Sequence, residues 1–220
     1  MTIVLGSQSL RRKEFFHLLG LNFATDAADV DEAENHADDP AQTVCRLSQI
    51  KARAVAARHP QALVVGADTV VALDGEVLGK PADGADAVVM LRRLRNRVHF
   101  VYSAVTVIHP ERGEVTEWAE TTVRMRDYTE AEIRAYVASG DPMDKAGAYA
   151  IQNPSFHPVE DITGCYASVM GLPLCHLARA FWRLGEPLAV HVPRLCRAHT
   201  GFDCTIYGDF WPGLPEVPAA

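Results

Sequence analysis

The sequence has no apolar run long enough to cross a bilayer. Its continuous stretches, Ala62 to Val65 among them, fall far short of the roughly 20 residues that a spanning helix needs. It has no C-x-x-C pair, and Cys45, Cys165, Cys175, Cys196 and Cys204 form an odd set. That suits free thiols in a reducing compartment better than a disulfide framework. Cys196, His199 and Cys204 stand close together, but their spacing fits no standard zinc pattern. Met1 to Leu5 runs straight into Gly6 and polar residues, without a basic leader, a long apolar stretch or a small-residue cleavage site. A cytoplasmic protein with no membrane partner is therefore expected. Positive charge is not in excess either: 21 Lys and Arg stand against 28 Asp and Glu, a formal net charge of -7. A protein that coats nucleic acid through its phosphates would need the opposite balance, so no nucleic-acid polymer is expected as a partner. Internal repeats and low-complexity segments are also missing.

What remains is an ordinary globular composition, 48% hydrophobic and 22% charged over 220 residues, enough chain to bury about 70% of its unfolded surface without a metal or disulfide. Thr2 to Leu5 reads as a buried strand and Ser9 to Leu19 as a helix with Leu10, Phe15, Leu18 and Leu19 on one face. Asp26 to Asp39 is acidic and irregular. Pro40 opens a helix to about Arg58, with Val44, Leu47, Ile50 and Ala54 inward. Ala62 to Leu73 is a strand joined by Asp74-Gly75 to Glu76-Val77-Leu78 in a hairpin. Asp83 to Arg95 is helical, Val98 to Ile108 extended, and Val115 to Arg124 pairs back as a second hairpin. Thr129-Glu130-Ala131-Glu132 is a capping box opening a helix that Gly140-Asp141-Pro142 ends. Ala148 to Gln152 reads as a short strand and Pro173 to Leu184 as a last amphipathic helix. These elements divide the chain into a body, residues 1–185, and a proline-rich extension, residues 186–220, whose lost periodicity places it outside the main core and whose aromatic residues predict packing on the body or on a partner.

Several residues carry chemistry. Gly6-Ser7-Gln8-Ser9-Leu10-Arg11-Arg12 lies between a strand and a helix, where free amides, the helix dipole and two guanidiniums favour a phosphate. An ordinary N-cap with two solvated arginines is the alternative. Asp68, inside an apolar strand, must be paired or metal-bound to offset its desolvation, and is a general-base or metal-ligand candidate. Asp31-Glu32 offers further oxygen donors for magnesium or manganese. Lys51, Lys80 and Lys145 offer point charges to phosphate oxygens, and Gln152 an amide able to read a base edge.

In this order the motifs resemble the Maf family of nucleoside triphosphate pyrophosphatases, also described as septum formation inhibitors. The matching pieces are L-G-S-Q-S-L-R-R-K-E-F-F, V-D-E, R-L-S-Q-I-K-A, V-G-A-D-T-V-V, L-G-K-P, D-K-A-G-A-Y-A-I-Q and V-M-G-L-P-L. The resemblance implies a mixed α/β fold: a twisted sheet flanked by helices, with two lobes around a cleft, as in inosine triphosphate pyrophosphatases. It further implies a homodimer, a divalent cation, and cleavage between the α and β phosphates. Asp68 matches the family's proton acceptor, and Ser7, Arg12, Glu32, Lys51 and Lys80 match active-site positions, with Glu32 and Asp68 as expected metal ligands. Arg11, Thr69 and Gln152 resemble the branch acting on dTTP and UTP. The alternatives are a pyrophosphatase for modified nucleotides such as 7-methyl-GTP, or a nucleotide-binding regulator of division with little turnover. Leu10, Ala167 and the run Asn153-Pro154-Ser155-Phe156-His157 depart from the family pattern, the last of them beside Gln152.

Overall fold

The computed structural model describes residues 1–28, 30, 37, 39–204 and 206. Asp31 and Glu32 lie outside the described residues. A seven-stranded mixed sheet runs β2-β1-β3-β5-β6-β7, with β4 paired to β3 off this path. Its strands are β1 (Ile3–Leu5), β2 (Phe23–Thr25), β3 (Leu63–Leu73), β4 (Glu76–Leu78), β5 (Val98–His109), β6 (Gly113–Met125) and β7 (Val159–Thr163). The helices are α1 (Leu10–Leu18), α2 (Pro40–Ala56), α3 (Gly84–Leu94), α4 (Glu130–Ala138), α5 (Tyr166–Val169), α6 (Leu174–Arg183) and α7 (Val192–Thr200). β1 pairs in parallel with β2 and β3, and the other pairings are antiparallel.

β3 organises the molecule because its two faces do different work. Alternate residues point to opposite sides of a strand. Leu63, Val65 and Ala67 join one core with α1, α5 and α6, while Val71 and Leu73 join a second core with α3 and α4. Thr69 sits between the two cores. On the other face Val64 packs on Val55, and Val70 on Val44, both from α2. Gly66 lets α2 come close: a Cβ there would stand 2.6 Å from Ser48 O and Ala52 N. On one edge of β3, β1 pairs only with Leu63 to Val65 and β4 only with Val71 to Leu73. Between these partners, residues 66–70 border a gap, and this is where the cleft opens.

The hairpins, the capping box and most helices fall where the sequence places them. Thr129 accepts from the amide of Glu132, and the Glu132 carboxylate accepts from that of Thr129. The inner face of α2 is rotated from expectation. Thr43, Ser48, Ala52 and Val55 are buried beside Val44 and Leu47, whereas Ile50 and Ala54 are half-buried. Small and polar residues face inward here because Gly66 demands close contact and because Ser48 bonds Thr106 across the interface, at 2.8 Å. Leu10 belongs to no core: it is 80% exposed, and Phe16 takes an inward place instead.

Ala148 to Gln152 forms no strand. Gly147 and Ala148 have left-handed backbones, with φ of 66° and 58°, and the amide of Ala150 bonds to the Tyr136 hydroxyl rather than to a strand, at 3.0 Å. The seventh strand is instead Val159–Thr163, an edge whose charged residues hide its alternation. The extension beyond residue 185 is not wholly outside the core either. It contains α7, which buries Val192 completely, and Leu188, Val190, Cys196 and Ile206 pack against the α1/α6 core. His191 caps this helix by accepting from Arg194 N. No helix among the described residues is long and apolar enough to cross a membrane.

Candidate active site

The gap beside β3 opens into a cleft of about 510 Å³ lined by the turn before α1, by β3 and β4, and by the run after α4. Its first wall is the turn from β1 into α1. Ser9 caps the helix, accepting from Arg12 N, and Ser7 Oγ accepts from Ser9 N at 3.2 Å and from Arg12 Nη1 at 3.3 Å. Arg12 also donates from Nε to Gly171 O, 2.9 Å, and from Nη2 to Thr69 Oγ1, 3.4 Å. Arg11 donates from Nε to Met170 O at 3.1 Å. Gly171, at φ 107°, has a backbone that a side chain would strain. Both guanidiniums are therefore oriented by the carbonyls that precede α6. Thr69 is oriented in turn: its hydroxyl meets Ser103 Oγ at 2.8 Å, and Ser103 donates to Ser168 O at 2.6 Å.

At the centre stands Asp68, 6% exposed, with Lys51 Nζ from α2 at 2.5 Å from its Oδ1. The ammonium is the pairing that a carboxylate in an apolar strand requires. The second wall is the irregular run after α4. Lys145 is buried up to its ammonium, which donates to Asp141 O, Asp141 Oδ1 and Asp144 Oδ1 at 2.5, 3.0 and 2.6 Å. Asp144 also stands 3.9 Å from Arg11. Burial opposes its charge, but Lys145 and Arg11 outweigh that and hold its carboxyl below the ordinary value. Lys80, after β4, and Gln152 are exposed residues of the lining.

Ser7, Arg11, Arg12, Lys51, Asp68, Thr69, Lys80, Lys145 and Gln152 thus line one cleft, while Glu32 falls outside the described residues. Sequence reasoning missed Asp144 as a counter-ion and Met170 and Gly171 as the carbonyl pair that aims the arginines. A signal existed for both, since Asp144 opens the D-K-A-G-A-Y motif and Met170-Gly171 lies within V-M-G-L-P-L. Among the described residues, no three or more His, Cys, Asp or Glu form a metal-holding group, Cys196, His199 and Cys204 included.

A mixed α/β body in which five cationic side chains and one buried aspartate line a single cleft has the chemistry of a candidate site for a polyanion. The chain belongs to the Maf-like protein family, whose sequence profile matches residues 2–184. It is 44% identical over 186 residues to a dTTP/UTP pyrophosphatase of Symbiobacterium thermophilum, covering 84% of this chain and 95% of that one. It is also 45% identical to a dTTP/UTP pyrophosphatase of Pelotomaculum thermopropionicum, covering 83% and 96%. Among solved structures, a HAM1 protein from Coxiella burnetii aligns at TM-score 0.44 and 16% identity, over 71% of this chain and 92% of that one.

Proposed function

We propose that this chain hydrolyses dTTP and UTP to the nucleoside monophosphate and pyrophosphate. The observation that carries the reading is the convergence of Arg11, Arg12, Lys51, Lys80 and Lys145 on the cleft that holds Asp68, and the names of the relatives support it. Arginine forks and lysine point charges together suit a triphosphate. Ser7, Arg11 and Arg12 hold phosphate oxygens at the α1 N-terminus, while Lys51, Lys80 and Lys145 stabilise the charge that builds on the leaving pyrophosphate. Asp68 orients a water and takes its proton as the oxygen attacks the α-phosphorus and the bond to the β-phosphate bridge breaks. Arg11, Thr69 and Gln152 supply the pyrimidine preference.

A divalent cation fits this site. Magnesium is held by one or two carboxylates together with substrate phosphates rather than by a closed protein cage, and the cleft presents the Asp68 carboxylate among cationic side chains that suit those phosphates. Asp68 and Glu32 would hold the ion. When bound, it neutralises phosphate charge. The five free cysteines support a reducing, cytoplasmic setting, and the family resemblance supports a homodimer, which light scattering tests.

The testing experiment measures pyrophosphate and orthophosphate from dTTP, UTP, CTP, GTP and 7-methyl-GTP, with magnesium or manganese and with chelator. Pyrophosphate from dTTP and UTP, abolished by chelator and reduced about 10²- to 10⁴-fold in folded Asp68→Asn, is expected. Near-normal turnover by that variant overturns the role of Asp68, and tight binding without pyrophosphate overturns the enzymatic reading.

A further inference from the structure

The run from Lys145 to Asn153 contributes a cation and an amide to the cleft, yet no strand ladder or α-helix holds it. It consists of a short 3₁₀ turn at Ala146–Ala148, two left-handed residues and a turn at Ile151 and Gln152. Backbone of this kind needs partners outside a regular ladder for its polar groups.

Backbone bonds satisfy part of that need, Gly147 N to Gly79 O, Ala148 N to Lys145 O and Asn153 N to Ala150 O, and one carboxylate links the two ends of the run. Asp141 lies outside the cleft lining. Its Oδ1 accepts from Lys145 Nζ at 3.0 Å, and its Oδ2 accepts from Tyr136 OH at 2.7 Å and from Asn153 Nδ2 at 3.1 Å. The Tyr136 hydroxyl in turn accepts from Ala150 N. Burial and the Asp141 charge push this phenol's pKa up, so the hydroxyl keeps its proton and the direction of both bonds is set. Burial works against the Asp141 carboxylate, but the bonds from Tyr136, Lys145 and Asn153 outweigh it and keep the group ionised. A single side chain therefore reaches residues 145 and 153 directly and residue 150 through one intermediary.

The far end is closed as well. Asn153 Oδ1 accepts from Ser155 N at 3.1 Å and Phe156 N at 2.8 Å, turning the chain back. Phe156 is buried and stacks on Tyr136 with ring centroids 4.3 Å apart. Asn153 opens the stretch where this chain departs from the family pattern.

We infer that Asp141, with Asn153 as its second arm, is a positioning residue that aims Lys145 and Gln152 into the nucleotide cleft. The inference rests on the proposed nucleotide reading, and its test must separate the two. Binding of a non-hydrolysable α,β-methylene analogue of dTTP is measured by calorimetry on the full chain for wild type, Asp141→Asn, Asp141→Glu and Asn153→Ala, alongside thermal melts and amide exchange at Ala150. Asp141→Asn is expected to weaken binding about tenfold and to speed Ala150 exchange. Asp141→Glu, which keeps both oxygens, recovers most of that loss. Asn153→Ala leaves the carboxylate and Tyr136 in place and carries the same test if Asp141→Asn does not fold; it too weakens the analogue. A variant that melts earlier yet binds as tightly as wild type overturns the inference, because a merely structural role moves only the melt. Wild-type binding without turnover of dTTP overturns the proposed function and leaves the positioning role standing. No wild-type binding overturns both.

Discussion

Asp68 and Lys145 face the same cleft from walls built in different ways. Asp68 sits in the middle of an eleven-residue strand, between α2 on one side and two cores on the other. Lys145 sits in a run of turns whose place is set by Asp141, Tyr136 and Asn153. The strand wall gets its accuracy from many buried apolar contacts, each small. The turn wall buries Ala148, Tyr149 and Phe156 in the second core as well, but its two ends are placed by a few hydrogen bonds from one carboxylate. A site that must hold a constant triphosphate and also distinguish bases has use for both, since rigid elements position a reacting group better than loops do, while loops vary more freely.

The contrast can be broken hardest at Lys51. Lys51→Met removes the ammonium beside Asp68, where both side chains are largely buried. Losing one partner of a buried pair costs about 3–5 kcal/mol. Chemical denaturation should show that loss together with the disappearance of pyrophosphate release; a stability unchanged from wild type would contradict the pairing described here.

The second test acts beneath the turn wall. His99 is buried with Nε2 2.8 Å from the hydroxyl of Tyr149, a cleft residue, and burial depresses its pKa from 6.5 to about 4. Above pH 6.5 the ring is neutral in both folded and unfolded chains and contributes nothing to the pH dependence. As pH falls through 6.5 toward 4, the unfolded chain takes up the proton first, so stability declines by roughly 3 kcal/mol across that window. His176, also buried and depressed to about 4, adds a loss of the same sign, so unfolding free energies from pH 7 to pH 4 should fall in wild type and fall less steeply in His99→Gln.

The smallest effect sharpens the strand side. Gly66→Ala places a Cβ 2.6 Å from backbone atoms of α2, and overpacking of this kind costs about 1–3 kcal/mol. Denaturation should register that cost, with a fall in kcat as Lys51 is pushed from Asp68. A Gly66→Ala variant as stable and as active as wild type would show that the α2 contact is looser than its geometry.

The same division explains what the sequence makes legible. Strands, hairpins, caps and the residues of the strand wall follow from apolar runs, turn dipeptides and a lone aspartate among valines, because such signals are local. Residues 148–152 read as a strand because Tyr149-Ala150-Ile151 is apolar, whereas their conformation depends on Tyr136 and Asp141, distant partners that no periodicity reveals. The edge strand Val159–Thr163 and the helix Val192–Thr200 escaped for related reasons, one hidden by charge and the other by prolines flanking a short amphipathic stretch. The inward Ser48 and Ala52 could be placed only once Gly66 was known to lie against them.

The cleft gathers Arg11, Arg12, Lys51, Lys80 and Lys145 around Asp68 and Asp144, in a chain whose net charge is -7. An approaching polyanion therefore meets repulsion at long range and attraction only near the mouth. Screening lengths of about 8 Å at physiological ionic strength shorten the reach of the first more than the strength of the second. Moderate salt should thus speed the encounter with a small triphosphate before higher salt weakens its capture, a non-monotonic dependence set by a negative net charge around a cationic cleft.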